Sequence, residues 1–534
     1  VEGDVEVSEG IDYARFYSTS MKQFAELPDV DIAPKGTILV ISPWNFPCAI
    51  PIGGIVAGLA GGNTVILKPA TVAAPVAWLF AKAFWDAGVP KEALQVIITD
   101  REALKVLTTA PAVKHIILTG GTDTAQNIAR SNPATPLSAE TGGKNAIILT
   151  ASGDRDHAIM NIVASAFGNA GQKCSACSLL LVERSVYEDK NFQDKLKDAA
   201  TSMKVGSVWN PGNVVGPMIT NKNDKLLKAL ELEKGESWLV PPRFLDKHKY
   251  VLAPTVKWGV RPGNYSFRTE LFGPMLSVVC IENLQQGIDL VNSLEYGLTS
   301  GLQSLDEGEQ KLWKDSIMAG NLYINRGITG AIVNRQPFGG MKLSAFGGGV
   351  KAGGPNYCAC FVNIADKPGS TTDYTQSYVK AYEQEFAHAR DVNNLYGEQN
   401  AFRYLPLKNM VLRLFPGDNN EDAKMIALAA RICHTPLSIS FEPGDDRTAA
   451  LASLGCPLKE EALAGFLKNY ERIRTCGADI PMEMYEEAAR IDKYIATAKP
   501  VKDGRVELIH YIKEQSISFE YHRYGSILEV PPVE

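Results

Sequence analysis

The 534-residue sequence has few clustered basic residues, isolated histidines and few cysteines, and each shortage excludes a class of function. Its 54 Lys and Arg against 60 Asp and Glu give a net charge of -6. That balance argues against a nucleic-acid or anionic-membrane partner, because such surfaces select for concentrated Lys and Arg. The nine cysteines are odd in number and thinly spread, which excludes a disulfide scaffold and favours a reducing, cytoplasmic compartment. None of the seven histidines stands at a ligand spacing from a cysteine or another histidine, so no metal site is assigned. The first residues, VEGDVEVSEGIDYARF, lack a basic region followed by an apolar one, so no signal peptide is read, and they do not resemble a natural start. Internal repeats and low-complexity tracts are missing too.

A run without charge extends from Gly36 to Leu67, long enough to raise the question of a membrane span. Pro43, Pro47 and Pro51, with five glycines, break it into strand, loop and short helix, which favours buried core and no integral membrane segment. The composition, 45% hydrophobic and 21% charged, is that of a globular chain with two to four domains acting on a small molecule.

Apolar runs TILVIS (37–42), TVILK (64–68), LQVII (94–98), HIILT (115–119) and NAIIL (145–149) alternate with helix-like segments VAAPVAWLFAKAFWDAG, REALKVLTT and TDTAQNIAR. This alternation predicts an α/β fold with a doubly wound parallel sheet, whose ligands bind beyond the C-terminal strand ends. A second mixed segment spans about 143 to 324, a glycine-rich loop covers 334 to 355, and ADKPGSTTDYTQ reads as a linker. Beyond 390, MVLRLF and PLSISF are expected as strands, and KEEALAGFLKNYERIRT and MEMYEEAARIDKYIATA as helices.

Several residues at predicted strand ends could carry chemistry. Asn45 in PWNFP can donate to a developing oxyanion or merely form a turn. Lys68 in LKPA can reach a phosphate or ribose, or remain a solvated charge. The turn LTGGT opens a helix whose amides could face a pyrophosphate, although it is not GxGxxG. Glu140 in AETGGKN can take a proton from water or lie on the surface. Cys174 in GNAGQKCSAC has small and polar neighbours suited to an exposed nucleophile, whereas most free cysteines are buried packing residues. The Cys174–Cys177 spacing also admits a dithiol or half of a zinc site.

Taken in order, PWNFP, LKPA, LTGGT, ETGGKN, GQKCSA, ELFGP and QPFGG resemble the aldehyde dehydrogenase superfamily over residues 37 to about 360. GQKCSA, NLYINRGITGAIVNRQPFGG and KAGGP are similar to the Δ1-pyrroline-5-carboxylate dehydrogenases, most of all the dehydrogenase half of bifunctional proline utilization A proteins. The resemblance implies NAD-dependent oxidation of L-glutamate γ-semialdehyde to glutamate, with Cys174 as nucleophile, Glu140 as base and Asn45 as oxyanion donor. It places the cofactor on Ile41, Pro43, Trp44, Lys68, Gly120, Gly121, Glu270 and Phe272. The substrate would meet Phe46, Lys173, Ser175, Gly353 and Gly354, the last three at its carboxylate.

The implied organisation is a Rossmann-type NAD-binding domain over 1–142 and 326–364, an α/β catalytic domain over 143–325, a linker over 365–389 and an accessory α/β domain over 390–534. Thr71 replaces an acid that commonly contacts the adenosine ribose, so NADP stays open beside NAD. Gly121 stands where a Ser is common. Only some forty residues precede PWNFP where the family has many more, so the chain is expected to be a fragment of a longer polypeptide carrying a proline dehydrogenase domain. Homo-oligomerisation, a different aldehyde substrate and a non-catalytic scaffold remain alternatives, although the last predicts loss of Asn45, Glu140 or Cys174, all of which are present.

Overall fold

The computed structural model describes residues 2–443, 451–463, 465–477 and 479–527. A helix, α1 (Glu2–Ala25), and a short strand, β1 (Val30–Pro34), precede the alternating units. These run β2 (Thr37–Ile41), α2 (Ala49–Ala60), β3 (Thr64–Lys68), α3 (Ala74–Asp86), β4 (Leu94–Val96), α4 (Arg101–Thr108), β5 (Val113–Thr119), α5 (Thr122–Ser131) and β6 (Leu137–Glu140). Strands β2 to β6 form a parallel sheet in the order β6-β5-β2-β3-β4, with Ala345–Phe346 added antiparallel beside β6.

The chain moves from β2 outward to β4, then returns to the opposite side of β2 for β5. That reversal leaves a crevice beyond the C-terminal ends of β2 and β5, where doubly wound sheets bind ligands. Ile41 pairs with Lys68 on one side and Leu118 on the other, and Thr119 pairs with Glu140. Four separate motifs therefore end along one rim. The uncharged run is strand β2, a loop, helix α2 and most of β3, and no helix among the described residues is long and apolar enough to cross a membrane.

A second sheet of nine strands follows. Its centre is β7 (Asn145–Leu149) and β8 (Cys177–Glu183), linked through helix α6 (Arg155–Phe167). Every residue of β7 is buried, which explains an unbroken apolar run in place of alternation. The sheet continues through β9 (Ser237–Val240), β10 (Thr255–Trp258) and β11 (Met275–Ile281) on one side and Thr299–Gln303 and Asn321–Ile324 on the other. The strands Ile512–Glu520 and Glu398–Pro406 then extend it beyond Asn321–Ile324, so residues from both ends of the 390–534 stretch share the sheet of the 143–325 stretch. A third, parallel sheet orders Leu458–Glu460, Leu437–Phe441, Met410–Arg413, Arg472–Arg474 and Ile495–Ala496.

Two local expectations are corrected. The described residues of KEEALAGFLKNYERIRT form no α-helix: they run from the end of the strand Leu458–Glu460 through a single 3-10 turn at Leu467–Asn469 to the strand Arg472–Arg474. Gly465, at φ 86, breaks any helix there, and the two short strands find partners in the parallel sheet. In MEMYEEAARIDKYIATA the helix covers only Met482–Arg490, and Asp492 at φ 56 turns the chain into the strand Ile495–Ala496. The stretch 365–389 contains a helix, Tyr374–Ala381, and a further turn to Phe386. Tyr378, fully buried, donates to the Val501 carbonyl at 2.7 Å. Aromatics at 374, 378, 382 and 386 form an i, i+4 stripe that the Pro, Gly, Ser and Thr content obscured.

Candidate active site

The loop 141–144 runs from the last residue of β6, Glu140, to the first residue of β7, Asn145. It thereby joins the C-terminal rim of the first sheet to the N-terminal rim of the second. Asn145 pairs with Cys177, the first residue of β8, so the segment carrying Cys174 is drawn to the same place. Asn145 Nδ2 donates to the Cys174 carbonyl at 2.7 Å and to the Ala176 carbonyl at 3.0 Å, while its Oδ1 accepts from the Thr299 amide at 3.1 Å. One side chain thus pins the Cys174 loop to two strands. Asn145→Ala is expected to lower kcat/KM by about tenfold or more through misplacement of Cys174, with the bulk fold retained by circular dichroism.

The GNAGQK segment bends sharply before the cysteine. Asn169, Ala170 and Gly171 lie at φ 52, 53 and 67, and a Cβ on Gly171 would stand 2.3 Å from the Gly273 carbonyl oxygen. Only glycine lets this loop rest on ELFGP. Gln172 anchors it by accepting from the Ile219 amide at 2.8 Å, and the Gln172 carbonyl accepts from Asn45 Nδ2 at 3.1 Å. Asn45 therefore points its carboxamide at the loop two residues before Cys174, and a primary amide carries a second N–H.

Burial pushes the Cys174 thiol up to about 12, the Glu140 and Glu270 carboxylates add repulsion, and the Ser175 and Cys174 amides oppose it. At neutral pH the thiol holds its proton. Burial also pushes Glu140 up to about 8, against the pull of Lys351 and of the Gly340 amide, which donates to Glu140 Oε2 at 3.2 Å. A carboxyl so poised is suited to take a proton near neutral pH. Cys177 is different in kind: it is 1% exposed, and its thiol points to the Leu179 carbonyl at 3.4 Å. All nine cysteines are free, and among the described residues no group of three or more His, Cys, Asp or Glu could hold a metal.

On the crevice side, Ile41, Lys68 and the Gly120–Gly121 turn border the switch point, and burial lowers the Lys68 ammonium pKa. The Gly120 amide donates to the Glu140 carbonyl at 3.1 Å, and Gly121 caps α5. Phe272, at φ 51, packs edge-on against Trp44 at 5.6 Å, which joins ELFGP to PWNFP beside the half-buried Pro43 and Phe46. Glu270 accepts from the Gly143 amide at 2.8 Å and lies so close to Gly142 that a Cβ there would sit 2.3 Å from its Oε2. Ser175 is 6% exposed next to Cys174. Lys173 reaches back toward Gly168, where an added Cβ would be 3.8 Å from its Nζ.

The two glycines expected at the substrate carboxylate have partners within the protein. Gly353 donates its amide to Tyr17 Oη at 2.7 Å, and Gly354 donates to the Lys351 carbonyl at 3.1 Å. Tyr17 stacks on Tyr357 at 5.4 Å, and Tyr13 packs against Gly53. Helix α1 thus reaches the site, a role that sequence reasoning missed. The signal was present in Tyr13, Tyr17, Met21 and Phe24, whose spacing marks a buried helical face. Asn145 and Lys351 were also missed, because each stood inside or beside a motif read for another residue.

Residues 1–366 match the aldehyde dehydrogenase family. The chain is 34% identical over 377 residues to a 1-pyrroline-5-carboxylate dehydrogenase of Geobacillus sp. (strain WCH70), which covers 67% of this chain and 72% of that protein. It is similar to the structure of proline utilization A from Corynebacterium freiburgense, with a TM-score of 0.88 and 37% identity over 98% of this chain. This chain spans 54% of that one, about half its length. A Thermus 1-pyrroline-5-carboxylate dehydrogenase with bound NAD gives a TM-score of 0.64 at 32% identity, covering 69% of this chain and 74% of that one. The motifs, the two sheets joined through the loop 141–144 and these similarities agree: the chain belongs to the aldehyde dehydrogenase family.

Proposed function

We propose that this chain oxidises L-glutamate γ-semialdehyde, the hydrolysed form of Δ1-pyrroline-5-carboxylate, to L-glutamate with NAD. The reading is carried by the convergence of Asn45, Glu140 and Cys174 where the two sheets face each other. The names of the similar proteins support the substrate and the cofactor.

The crevice fits a dinucleotide. Gly121 presents α5 without a side chain, and a Cβ there would meet nothing within 4 Å, which leaves the backbone open to a phosphate. Ile41, Pro43, Trp44, Lys68, Gly120, Gly121, Glu270 and Phe272 would hold it. NAD, when bound, supplies the hydride acceptor. Thr71, exposed at the start of a 3-10 turn, carries no charge to repel a 2′-phosphate, which keeps NADP in view.

Cys174 Sγ adds to the aldehyde carbon as its proton passes to solvent, giving a thiohemiacetal. The free N–H of Asn45 and the Cys174 amide donate to its oxyanion. Loss of hydride leaves a thioester on Cys174. Glu140 takes a proton from water as the water oxygen attacks the thioester carbonyl; the C–S bond breaks, the carboxylic acid leaves and the Cys174 thiolate takes up a proton. Ser175, Gly353 and Gly354 hold the substrate carboxylate, with Phe46 and Lys173 completing its surroundings. For the glycine amides this requires exchange of the Tyr17 and Lys351 acceptors.

NADH formation with pyrroline-5-carboxylate, measured beside aldehydes without a carboxylate, tests the assignment. We expect kcat/KM to favour the carboxylated substrate by roughly a hundredfold; equal values would defeat the substrate assignment. Ser175→Ala is expected to raise KM for the semialdehyde about tenfold and leave that for propanal unchanged.

We further infer that residues 390–534 form an accessory domain joined by 365–389 to an NAD-binding domain (1–142 and 326–364) and a catalytic domain (143–325). The similarity to proline utilization A supports a proline dehydrogenase region in the same full-length polypeptide. Free cysteines support a cytoplasmic setting. A homo-oligomer is part of the reading and is checked by sedimentation.

A further inference from the structure

Lys351 is 1% exposed, and its ammonium donates to Asn321 Oδ1 at 2.8 Å and to the Gly339 carbonyl. That carbonyl shares one peptide group with the Gly340 amide, which donates to Glu140 Oε2. A single peptide unit therefore stands between a buried ammonium and the carboxylate. Glu140 and Lys351 flank the same residue: a Cβ on Gly339 would lie 2.9 Å from Glu140 Oε1 and 3.1 Å from Lys351 Cγ. Burial lowers the Lys351 ammonium to about 8, against the pull of Glu140 and Glu514. When Glu140 is ionised and Lys351 protonated, both hydrogen bonds of the peptide are charge-assisted and strengthen one another. Lys351 is held in turn from the far end of the chain. Its backbone amide donates at 2.6 Å to Glu514 Oε2, on strand Ile512–Glu520, and Asn356 Nδ2 donates to Glu514 Oε1 at 2.7 Å.

We propose that Lys351 is the positioning residue of Glu140, its ammonium acting through the Gly339–Gly340 peptide to orient the carboxylate and favour its ionised form, with Glu514 fixing Lys351 in place. The inference rests on the reading of Glu140 as the base that activates water. Among the described residues, the other titratable groups facing Glu140 are Cys174, Tyr13 on α1 and Tyr357, each of which senses its charge. All three are neutral when protonated, so Lys351 is the cation of the set. Glu140 works ionised, and a nearby cation lowers its proton affinity. Removing the cation must move the acid limb of the rate profile to higher pH.

The test is the pH profile of steady-state kcat for the full chain and its Lys351→Gln, Lys351→Met, Lys351→Arg and Glu140→Gln variants. Lys351→Gln keeps a donor for the Gly339 carbonyl but no charge, so it separates electrostatics from packing and decides the question even where Lys351→Met does not fold. We expect its acid limb to rise by about one pH unit, with kcat at pH 7 down roughly tenfold and KM little changed. Lys351→Arg should restore the limb. An unmoved limb in Lys351→Gln overturns the proposal. If Glu140→Gln turns over like the parent, the base assignment itself fails; if Glu140→Gln is defective while Lys351→Gln keeps its limb, only the Lys351 inference fails.

Discussion

Cys174→Ala is expected to reduce NADH formation by roughly 10⁴-fold or more, to the rate without enzyme, because no other group can form the thioester. Cys177→Ala should retain activity and lose on the order of 1 kcal/mol of stability, since that thiol begins β8 inside the core. The contrast separates a single nucleophile from a dithiol pair: equal loss of activity in both variants would overturn the former. A thiol pushed up to about 12 is protonated at neutral pH, so alkylation of Cys174 by iodoacetamide should be slow at pH 7 and accelerate as pH rises. Burial is the first cause of this, ahead of the neighbouring carboxylates.

Glu140→Gln should separate the two halves of the reaction. Oxidation would proceed once per site and stall at the thioester, giving a burst of NADH followed by a steady state reduced by about 10²- to 10⁴-fold. In the parent the carboxyl is pushed up to about 8 by burial and acts only when ionised, so steady-state turnover should climb with pH through that region and level off above it. The sign follows from the role: a base with raised proton affinity is silenced on the acid side. Full turnover by Glu140→Gln with no burst would remove Glu140 from hydrolysis.

The residues proposed to carry the chemistry stood out because each sits in a short motif, most of them at a strand end. The strand from Thr37 is followed at once by PWNFP, Lys68 closes its strand, and Glu140 closes another, so a linear pattern already placed them on one rim. Legibility failed where a residue acts across the fold. Tyr17 meets Gly353 and Lys351 meets Glu514, contacts 336 and 163 residues apart in sequence. It failed again in the last third, where short strands gain their stability from parallel neighbours and a helical reading of local pattern had nothing to oppose it.

By itself the sequence determined the alternation of strand and helix, the order of the motifs and the candidates for the reacting side chains, since these depend on local pattern and on the chemistry of single residues. The tertiary structure alone decided that the second sheet is completed by strands from beyond residue 390, that Asn145 pins the Cys174 loop, and that one peptide group links Lys351 to Glu140. The physical reason is the range of the forces involved. Helical and extended periodicities are written within a few residues, whereas a buried charge is tolerated only where partners from remote segments converge, and no local pattern records that convergence.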